Sequence, residues 1–152
     1  MHILFVCTGN TCRSPMAEAL FRQKLEGTAA QIRSAGLAAF DGQQASEHTR
    51  QVLTERGIWQ DHRAQRLSLE LLSWADLVLT MTRGHKEHIL QMFPGHGDKI
   101  FTLTEYVGVD GDIADPYGGN LEIYMTCAEE LDKLLDMLHE KLAPLLPPNK
   151  TS

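Results

Sequence analysis

A chain of 152 residues with 43% hydrophobic and 22% charged residues has the size and balance of a globular protein with one core. These values exclude a disordered chain, a collagen-like fibre and a disulfide-stapled miniprotein. The formal net charge of −6 disfavours nucleic acid and anionic membranes as partners, so any bound anion needs a local site.

Apolar runs typical of strands alternate with helical patterns along the chain. Residues 3–6 form an apolar run typical of a buried parallel strand, and Ser14 with Pro15 marks the start of a helix that Gly27 ends. The further predicted elements are a strand over 31–34, a helix over 46–56 followed by Gly57, a short helix over 69–74, a strand over 77–81, a helix from Thr82 to about Met92, a strand over 100–103 and a long helix over 121–142.

This alternation predicts an α/β fold in three layers, with a four-stranded parallel sheet flanked by helices. We expect residues 1–152 to form a single domain, with about 145–152 as a flexible tail. In such folds ligands bind beyond the carboxyl ends of the strands, where the strand order reverses. The loop after the first strand is therefore the candidate site.

That loop, CTGNTCRSP over residues 7–15, places Cys7 and Arg13 in a Cys-x5-Arg pattern. Backbone N–H groups that enter a helix favour a bound anion, Gly9 permits its close approach, and Arg13 matches two oxygens of a phosphoryl group. A nucleotide-binding loop would need Gly-Lys-Ser/Thr, and a structural zinc site would need a second pair of ligands. We predict a metal-free phosphate-binding loop formed by Thr8, Gly9, Asn10, Thr11, Cys12, Arg13 and Ser14.

Cys7 is the candidate nucleophile of this loop. A thiol at a helix N-terminus beside an arginine is expected to be largely thiolate near neutral pH. Ser14 is expected to donate a hydrogen bond to the sulfur, and Asn10 to hold the loop through its own backbone. From the residues alone, a small buried cysteine without chemistry stays open as the alternative.

A leaving group also needs a proton donor, and Asp115 in the segment DPYGG is the candidate. Pro116 restricts Asp115 to extended backbone angles, which helps a loop to aim a carboxylate. On the residues alone, the same segment is also an ordinary turn. Leu37 and Phe40 are expected near the mouth of the pocket.

The chain resembles the low-molecular-weight protein tyrosine phosphatase family over nearly its whole length. The resemblance rests on CTGNTCRSP and DPYGG, and on RSAG over 33–36, HRAQRL over 62–67 and ADLVLTMT over 75–82. It implies a reaction in which Cys7 forms a phosphocysteine, Asp115 acts as general acid and then as general base, and Arg13 stabilises the phosphoryl oxygens. It implies no cofactor.

Two departures from the usual family pattern concern the substrate. Thr11 stands where tyrosine-specific members usually carry a larger aliphatic residue, and Gly118 follows Tyr117 where many carry a second bulky side chain. GNTCRSP with DPYGG resembles the bacterial protein-arginine phosphatase branch, which implies phosphorylated proteins as substrates and a counteracting protein-arginine kinase. Thr11, Tyr117 and Gly118 are thus the predicted specificity residues, and tyrosine phosphatase activity stays the alternative.

The three cysteines bear on two competing functions and on the compartment. Related arsenate reductases need a closely spaced pair of downstream cysteines, whereas only Cys127 remains here. A function of a different class is a catalytically idle module that senses phosphate or oxidants. Cys12 follows Cys7 around the same tight loop, which predicts a reversible protective disulfide between them.

We predict a cytoplasmic protein with free thiols, because the sequence has three cysteines, no basic leader segment and no apolar run of ~20 residues.

Overall fold

The structure is a computed structural model that describes residues 1–148. Its strands are β1 (His2–Cys7), β2 (Gln31–Gly36), β3 (Leu77–Thr80) and β4 (Ile100–Thr102). Its α-helices are α1 (Arg13–Lys24), α2 (Glu47–Glu55), α3 (Leu69–Trp74), α4 (Arg83–Met92), α5 (Leu103–Val107) and α6 (Leu121–Leu142). Short 3₁₀ segments cover Pro94–Lys99 and Ala143–Leu145.

The four strands form one parallel sheet in the order β2-β1-β3-β4. Ile3 of β1 pairs with Ile32 on one side and with Leu77 on the other, so β1 lies inside the sheet. The chain passes from β1 to β2 on one side of β1 and then crosses over to β3 on the other side. The predicted parallel sheet is therefore confirmed, and the carboxyl end of β1 lies where the strand order reverses.

Both faces of β1 are covered by helices, which explains its unbroken apolar sequence. Ile3 and Phe5 pack into a core with side chains of α1 and α6, including Met16, Leu20 and Leu131. Leu4 and Val6 point to the opposite face, where they pack with Leu71, Leu72 and Ile89 from α3 and α4. Strand β1 thus carries Cys7, its last residue, into the core that it shares with α1 and α6.

Most boundaries follow the predicted signals, but β2 continues to Gly36 and α1 already ends at Lys24, before Gly27. Two further boundaries also differ from the prediction. Helix α1 begins at Arg13 after Cys12, so Ser14 lies inside the first turn and does not cap the helix. Strand β4 ends at Thr102, and Leu103 begins the unpredicted helix α5, which Thr102 and Glu105 start as a capping box. Helix α2 begins after Ser46, whose side chain caps it by accepting from the N–H of Thr49.

The region of the predicted tail is packed as far as the structure describes it. Leu146 is buried in the core with α1 and α6, and Thr28 forms a β-bridge with Pro148. Residues 149–152 of the predicted tail lie outside the described residues. Within residues 1–148, every helix is too short or too polar to cross a membrane.

Candidate active site

The phosphate loop lies between β1 and α1 and is held from one side by the end of β2. The N–H of Leu37 donates to the Cys7 carbonyl at 3.0 Å, and the N–H of Ala38 donates to the Thr8 carbonyl at 2.9 Å. Gly36 lies directly against the loop, because a Cβ atom there would stand 2.6 Å from the Thr8 carbonyl oxygen and 2.8 Å from the Asn10 nitrogen. Glycine is therefore required for this close approach.

Asn10 fixes the conformation of the loop from within. Its backbone is left-handed with φ of 56°, and its side chain is fully buried. The Asn10 amide donates to Ser14 Oγ at 2.8 Å and to Ser34 Oγ at 2.9 Å, and its Oδ1 accepts from the N–H of Gln65 at 2.9 Å. The expected bond to its own backbone is thus replaced by bonds to three other segments. The Asn10 carbonyl also lies 2.7 Å from His62 Nε2.

Cys7 is buried and has Ser14 as its side-chain partner. Cys7 Sγ lies 2.9 Å from Ser14 Oγ. Ser14 Oγ also accepts from the Asn10 amide at 2.8 Å and lies 3.5 Å from the Ala35 carbonyl, so the sulfur and this carbonyl are the two acceptors within reach of its proton. The predicted contact of Ser14 with the nucleophile is therefore present.

The predicted low pKa of Cys7 is not found. Burial raises the pKa of the Cys7 thiol above its ordinary value, whereas the Ser14 side chain, the N–H groups of Ser14 and Asn10, and the Arg13 cation lower it. Burial is the largest of these effects. The expected stabilising partners are all present, and the loss of hydration on burial opposes them.

Arg13 joins the phosphate loop to the segment that carries Asp115. Its side chain is buried, and its Nη1 donates to the Ile113 carbonyl at 2.9 Å. Its Nη2 lies 3.5 Å from Asp115 Oδ2. Asp115 is exposed, and its Oδ1 accepts from the N–H of Tyr117 at 3.0 Å in the following turn. The two residues lie 102 positions apart in the sequence and meet at one site.

A pocket of about 260 Å³ opens above the loop. It is lined by Cys7, Thr8, Gly9, Thr11, Cys12, Arg13, Ala38, Phe40, Gln43, Asp115 and Tyr117. The predicted nucleophile, cation and acid therefore face one space. Asn10 and Ser14 lie behind the loop and support it, so a ligand in the pocket can contact them only through their backbone N–H groups.

The predicted specificity residues are divided between two roles. Thr11 and Tyr117 line the pocket, and the exposed rings of Phe40 and Tyr117 stand at its rim. Gly118 does not line it and has φ of 82° in the turn after Asp115, so the backbone conformation by itself calls for glycine. Leu37, which was expected at the mouth, packs against the core around Leu4.

Two residues of the site were missed because no local pattern marks them. Tyr124 of α6 is buried, and its hydroxyl lies 3.3 Å from Cys12 Sγ, which also contacts Ser46 Oγ at 3.5 Å. Burial and the contact with Cys12 raise the pKa of Tyr124 to about 12. His85 of α4 lies 2.8 Å from Thr8 Oγ1. Within residues 1–148, no three His, Cys, Asp or Glu side chains converge as a metal site requires.

The comparison with known proteins agrees with this geometry. The family described as low molecular weight phosphotyrosine protein phosphatase matches residues 2–145. The chain belongs to this family. It is 53% identical over 142 residues to the protein-arginine-phosphatase of Geobacillus stearothermophilus, covering 92% of this chain and 95% of that protein. It is 48% identical over 145 residues to the protein-arginine-phosphatase of Bacillus subtilis strain 168, covering 93% and 97%.

A solved structure of a relative has the same fold as this chain. The YwlE arginine phosphatase mutant with a phosphorylated active site serine matches with a TM-score of 0.91 at 46% identity, covering 94% of this chain and 96% of that chain. The arrangement of sheet and helices described above is thus the fold of this family.

Proposed function

We propose that this protein is a cysteine-dependent protein phosphatase that hydrolyses phosphoarginine on proteins. The observation that carries the proposal is the convergence of Cys7, Arg13 and Asp115 on one pocket, with Arg13 3.5 Å from the Asp115 carboxylate. A nucleophile, a bidentate cation and a carboxylate that face one space are the groups that a two-step phosphoryl transfer needs.

In the first step, the Cys7 thiol loses its proton to water and its sulfur attacks the phosphorus atom. The phosphorus–nitrogen bond breaks as protonated Asp115 gives its proton to the leaving nitrogen, which leaves a phosphocysteine. In the second step, the Asp115 carboxylate takes a proton from the attacking water, and the sulfur–phosphorus bond breaks. The Ser14 hydroxyl stabilises the departing thiolate, while Arg13 and the N–H groups of residues 8–13 hold the phosphoryl oxygens.

Thr11 supports phosphoarginine as the substrate. It lines the pocket beside Cys12, where its hydroxyl offers a polar surface to the phosphorus–nitrogen bond and to the attacking water. Phosphotyrosine is the second candidate because the exposed rings of Phe40 and Tyr117 at the rim provide apolar surfaces for an aryl group. The names of the relatives at 53% and 48% identity favour phosphoarginine.

The domain, the compartment, the counteracting enzyme and the redox pair belong to the same proposal. We expect one phosphatase domain that acts in the cytoplasm on phosphorylated proteins and opposes a protein-arginine kinase.

We also expect a reversible disulfide between Cys7 and Cys12. Both thiols are free in the structure and line one pocket. Peroxide treatment followed by mass spectrometry should reveal a linked peptide that joins the two residues.

The substrate is tested by phosphate release from two peptides of the same sequence, one with phosphoarginine and one with phosphotyrosine. We expect the wild type to prefer phosphoarginine. Thr11→Ile replaces the hydroxyl by a larger apolar group, so it should shift the ratio of kcat/KM values toward phosphotyrosine by about tenfold. Cys7→Ser is the control for the shared chemistry and should release no phosphate from either peptide.

The outcomes separate the two substrates. A preference for phosphotyrosine that Thr11→Ile leaves unchanged would replace the arginine proposal with tyrosine phosphatase activity. Activity that survives in Cys7→Ser would contradict the phosphocysteine mechanism for both substrates.

A further inference from the structure

The first residue after the nucleophile has a partner outside the phosphate loop. Thr8 Oγ1 lies 2.8 Å from His85 Nε2, and Thr8 is exposed in the lining of the pocket. His85 lies in the first turn of α4, where its side chain is buried and its N–H donates to Thr82 Oγ1 at 3.1 Å. The helix cap therefore fixes the backbone of His85, and burial restricts the movement of its ring.

The His85 ring is neutral at physiological pH. Burial and the Arg13 cation lower its pKa from 6.5 to about 4. Among the other charged groups around it, Asp112 and Asp115 raise the pKa and His88 lowers it, and these effects are smaller. A neutral imidazole carries a single N–H. The ring nitrogen that holds this proton decides whether His85 or Thr8 is the donor in their hydrogen bond.

The surroundings of Nδ1, the second ring nitrogen, decide which nitrogen carries the proton. His85 Nδ1 is buried and has no hydrogen-bond partner among residues 1–148. A proton on Nδ1 would be a buried donor without an acceptor, which native proteins tolerate less often than an unused acceptor. The proton is therefore on Nε2, which donates to Thr8 Oγ1. The hydroxyl proton of Thr8 is then not used by His85.

We propose that His85 is a positioning residue that makes the Thr8 hydroxyl a hydrogen-bond donor to the phosphoryl oxygens in the pocket. Thr8 thereby adds a side-chain donor to the backbone N–H groups of the loop. The inference rests on the proposed function only in that the pocket binds a phosphoryl group. It does not depend on whether that group comes from arginine or from tyrosine.

The tautomer is tested directly by NMR of ¹⁵N-labelled protein. Two-bond ¹H–¹⁵N correlations of the His85 ring should show a protonated Nε2 and a bare Nδ1 at neutral pH. The same pattern should persist to about pH 5, because the pKa of His85 is about 4. A proton on Nδ1 would reverse the direction of the bond with Thr8 and overturn the proposal.

The role of the pair is tested by the inhibition constant of inorganic phosphate, measured with para-nitrophenyl phosphate as the substrate. Thr8→Val removes the hydroxyl at constant shape and should weaken phosphate binding about tenfold, the size of one hydrogen bond to a charged group. His85→Phe should weaken it by a similar or smaller factor, because Thr8 then loses its orientation. His85→Gln keeps an N–H donor and should restore much of the loss. His88→Phe, an exposed histidine on the same helix, is the matched control and should change nothing.

A merely structural role for His85 would give a different pattern. If His85 acts through Thr8, the double variant Thr8→Val/His85→Phe should bind phosphate no more weakly than Thr8→Val alone. Losses that multiply in the double variant would overturn the inference, as would unchanged phosphate binding in Thr8→Val. Wild-type preference for phosphotyrosine would contradict the proposed substrate alone, because none of these measurements uses phosphoarginine.

Discussion

At the scale of single residues, a chain of polar contacts prepares the nucleophile. The Asn10 amide donates to Ser14 Oγ, and Ser14 Oγ contacts Cys7 Sγ at 2.9 Å. The Asn10 amide occupies one acceptor position of Ser14 Oγ, which leaves the Ser14 proton for the sulfur or, at 3.5 Å, for the Ala35 carbonyl. Asn10 therefore acts on Cys7 without touching the pocket.

This chain predicts the effect of Asn10→Ala. The substitution leaves the hydroxyls of Ser14 and Ser34 and the N–H of Gln65 without their partner. It also puts alanine in a left-handed conformation. We expect the free energy of unfolding to fall by about 2–4 kcal/mol and phosphate affinity to fall about tenfold. Urea unfolding and phosphate inhibition, measured on the same preparation, test both effects. An unchanged unfolding midpoint would contradict the scaffold role of Asn10.

What the sequence could predict at this scale depends on whether a role is local. Cys7 and Arg13 belong to one loop with a recognisable spacing, and Pro116 marks Asp115. Thr8–His85 and Cys12–Tyr124 join residues 77 and 112 positions apart, so no spacing in the sequence indicates them. The pKa of Cys7 also could not be predicted, because it depends on how completely the folded chain buries the thiol.

At the scale of elements, the end of β2 sets the shape of the loop after β1. The backbone of Gly36 lies so close to the loop that a Cβ atom there would meet the backbone of Thr8 and Asn10, and β2 pairs with β1 along its full length up to Cys7 and Gly36. Two neighbouring parallel strands thus deliver the nucleophile and the surface against which the loop is formed.

Gly36→Ala is therefore expected to damage the site more than the fold. Its Cβ atom would meet two backbone atoms at 2.6 Å and 2.8 Å, and neither can turn away as a flexible side chain does. We expect a loss of about 1–3 kcal/mol in unfolding free energy and a loss of at least about tenfold in kcat/KM, since the N–H groups that hold the phosphate are displaced. Thermal unfolding and steady-state kinetics measure the two quantities.

Gly95→Ala is the matched control because its Cβ atom would have no neighbour within 4 Å, and its backbone is not left-handed. It should leave kcat/KM unchanged. Equal kinetic losses in both variants would show that the contact with the loop is not the cause.

The elements themselves were largely predictable, because strands with continuous apolar runs and helices with polar caps carry strong local signals. Ser46, Thr82 and Gly57 lie at helix ends as the patterns predict. Helix α5 was missed since its five residues follow β4 without a break, although Thr102 and Glu105 have the spacing of a capping box. The boundary of α1 was misplaced because Ser14 serves Cys7 instead of the helix end.

At the scale of the whole molecule, buried ionisable groups set the pH range of maximal stability. His85 has a pKa of about 4 in the folded protein and 6.5 as its ordinary value, so the unfolded chain binds more protons between these values. Stability is therefore fully present above pH 6.5 and is lost as pH falls toward 4. The loss is about 2 kcal/mol after allowance for screening by solvent.

At alkaline pH, folding stability falls as the pH rises, and buried thiols are the cause. Burial and the nearby Glu130 raise the pKa of Cys127 from 9.0 to about 12, and burial also raises the pKa of Cys7. The folded protein keeps these protons while the unfolded chain releases them above pH 9. Stability is therefore fully present below pH 9 and is lost as pH rises above it.

Together these groups predict a plateau of unfolding free energy between about pH 6.5 and pH 9, which urea unfolding across the pH range can measure. The Lys86 hydrogen bond lowers the pKa of Glu105 below 4.5, so that carboxylate adds to the loss only below this pH and leaves the range from 6.5 to 4.5 as a measure of His85. His85→Gln should reduce the fall in unfolding free energy between pH 6.5 and 4.5. Cys127→Ala should reduce the fall above pH 9 without changing the fall at acid pH. An acid limb that stays equally steep in His85→Gln would mean that another group carries the proton, and it would also contradict the neutral ring on which the Thr8 contact depends.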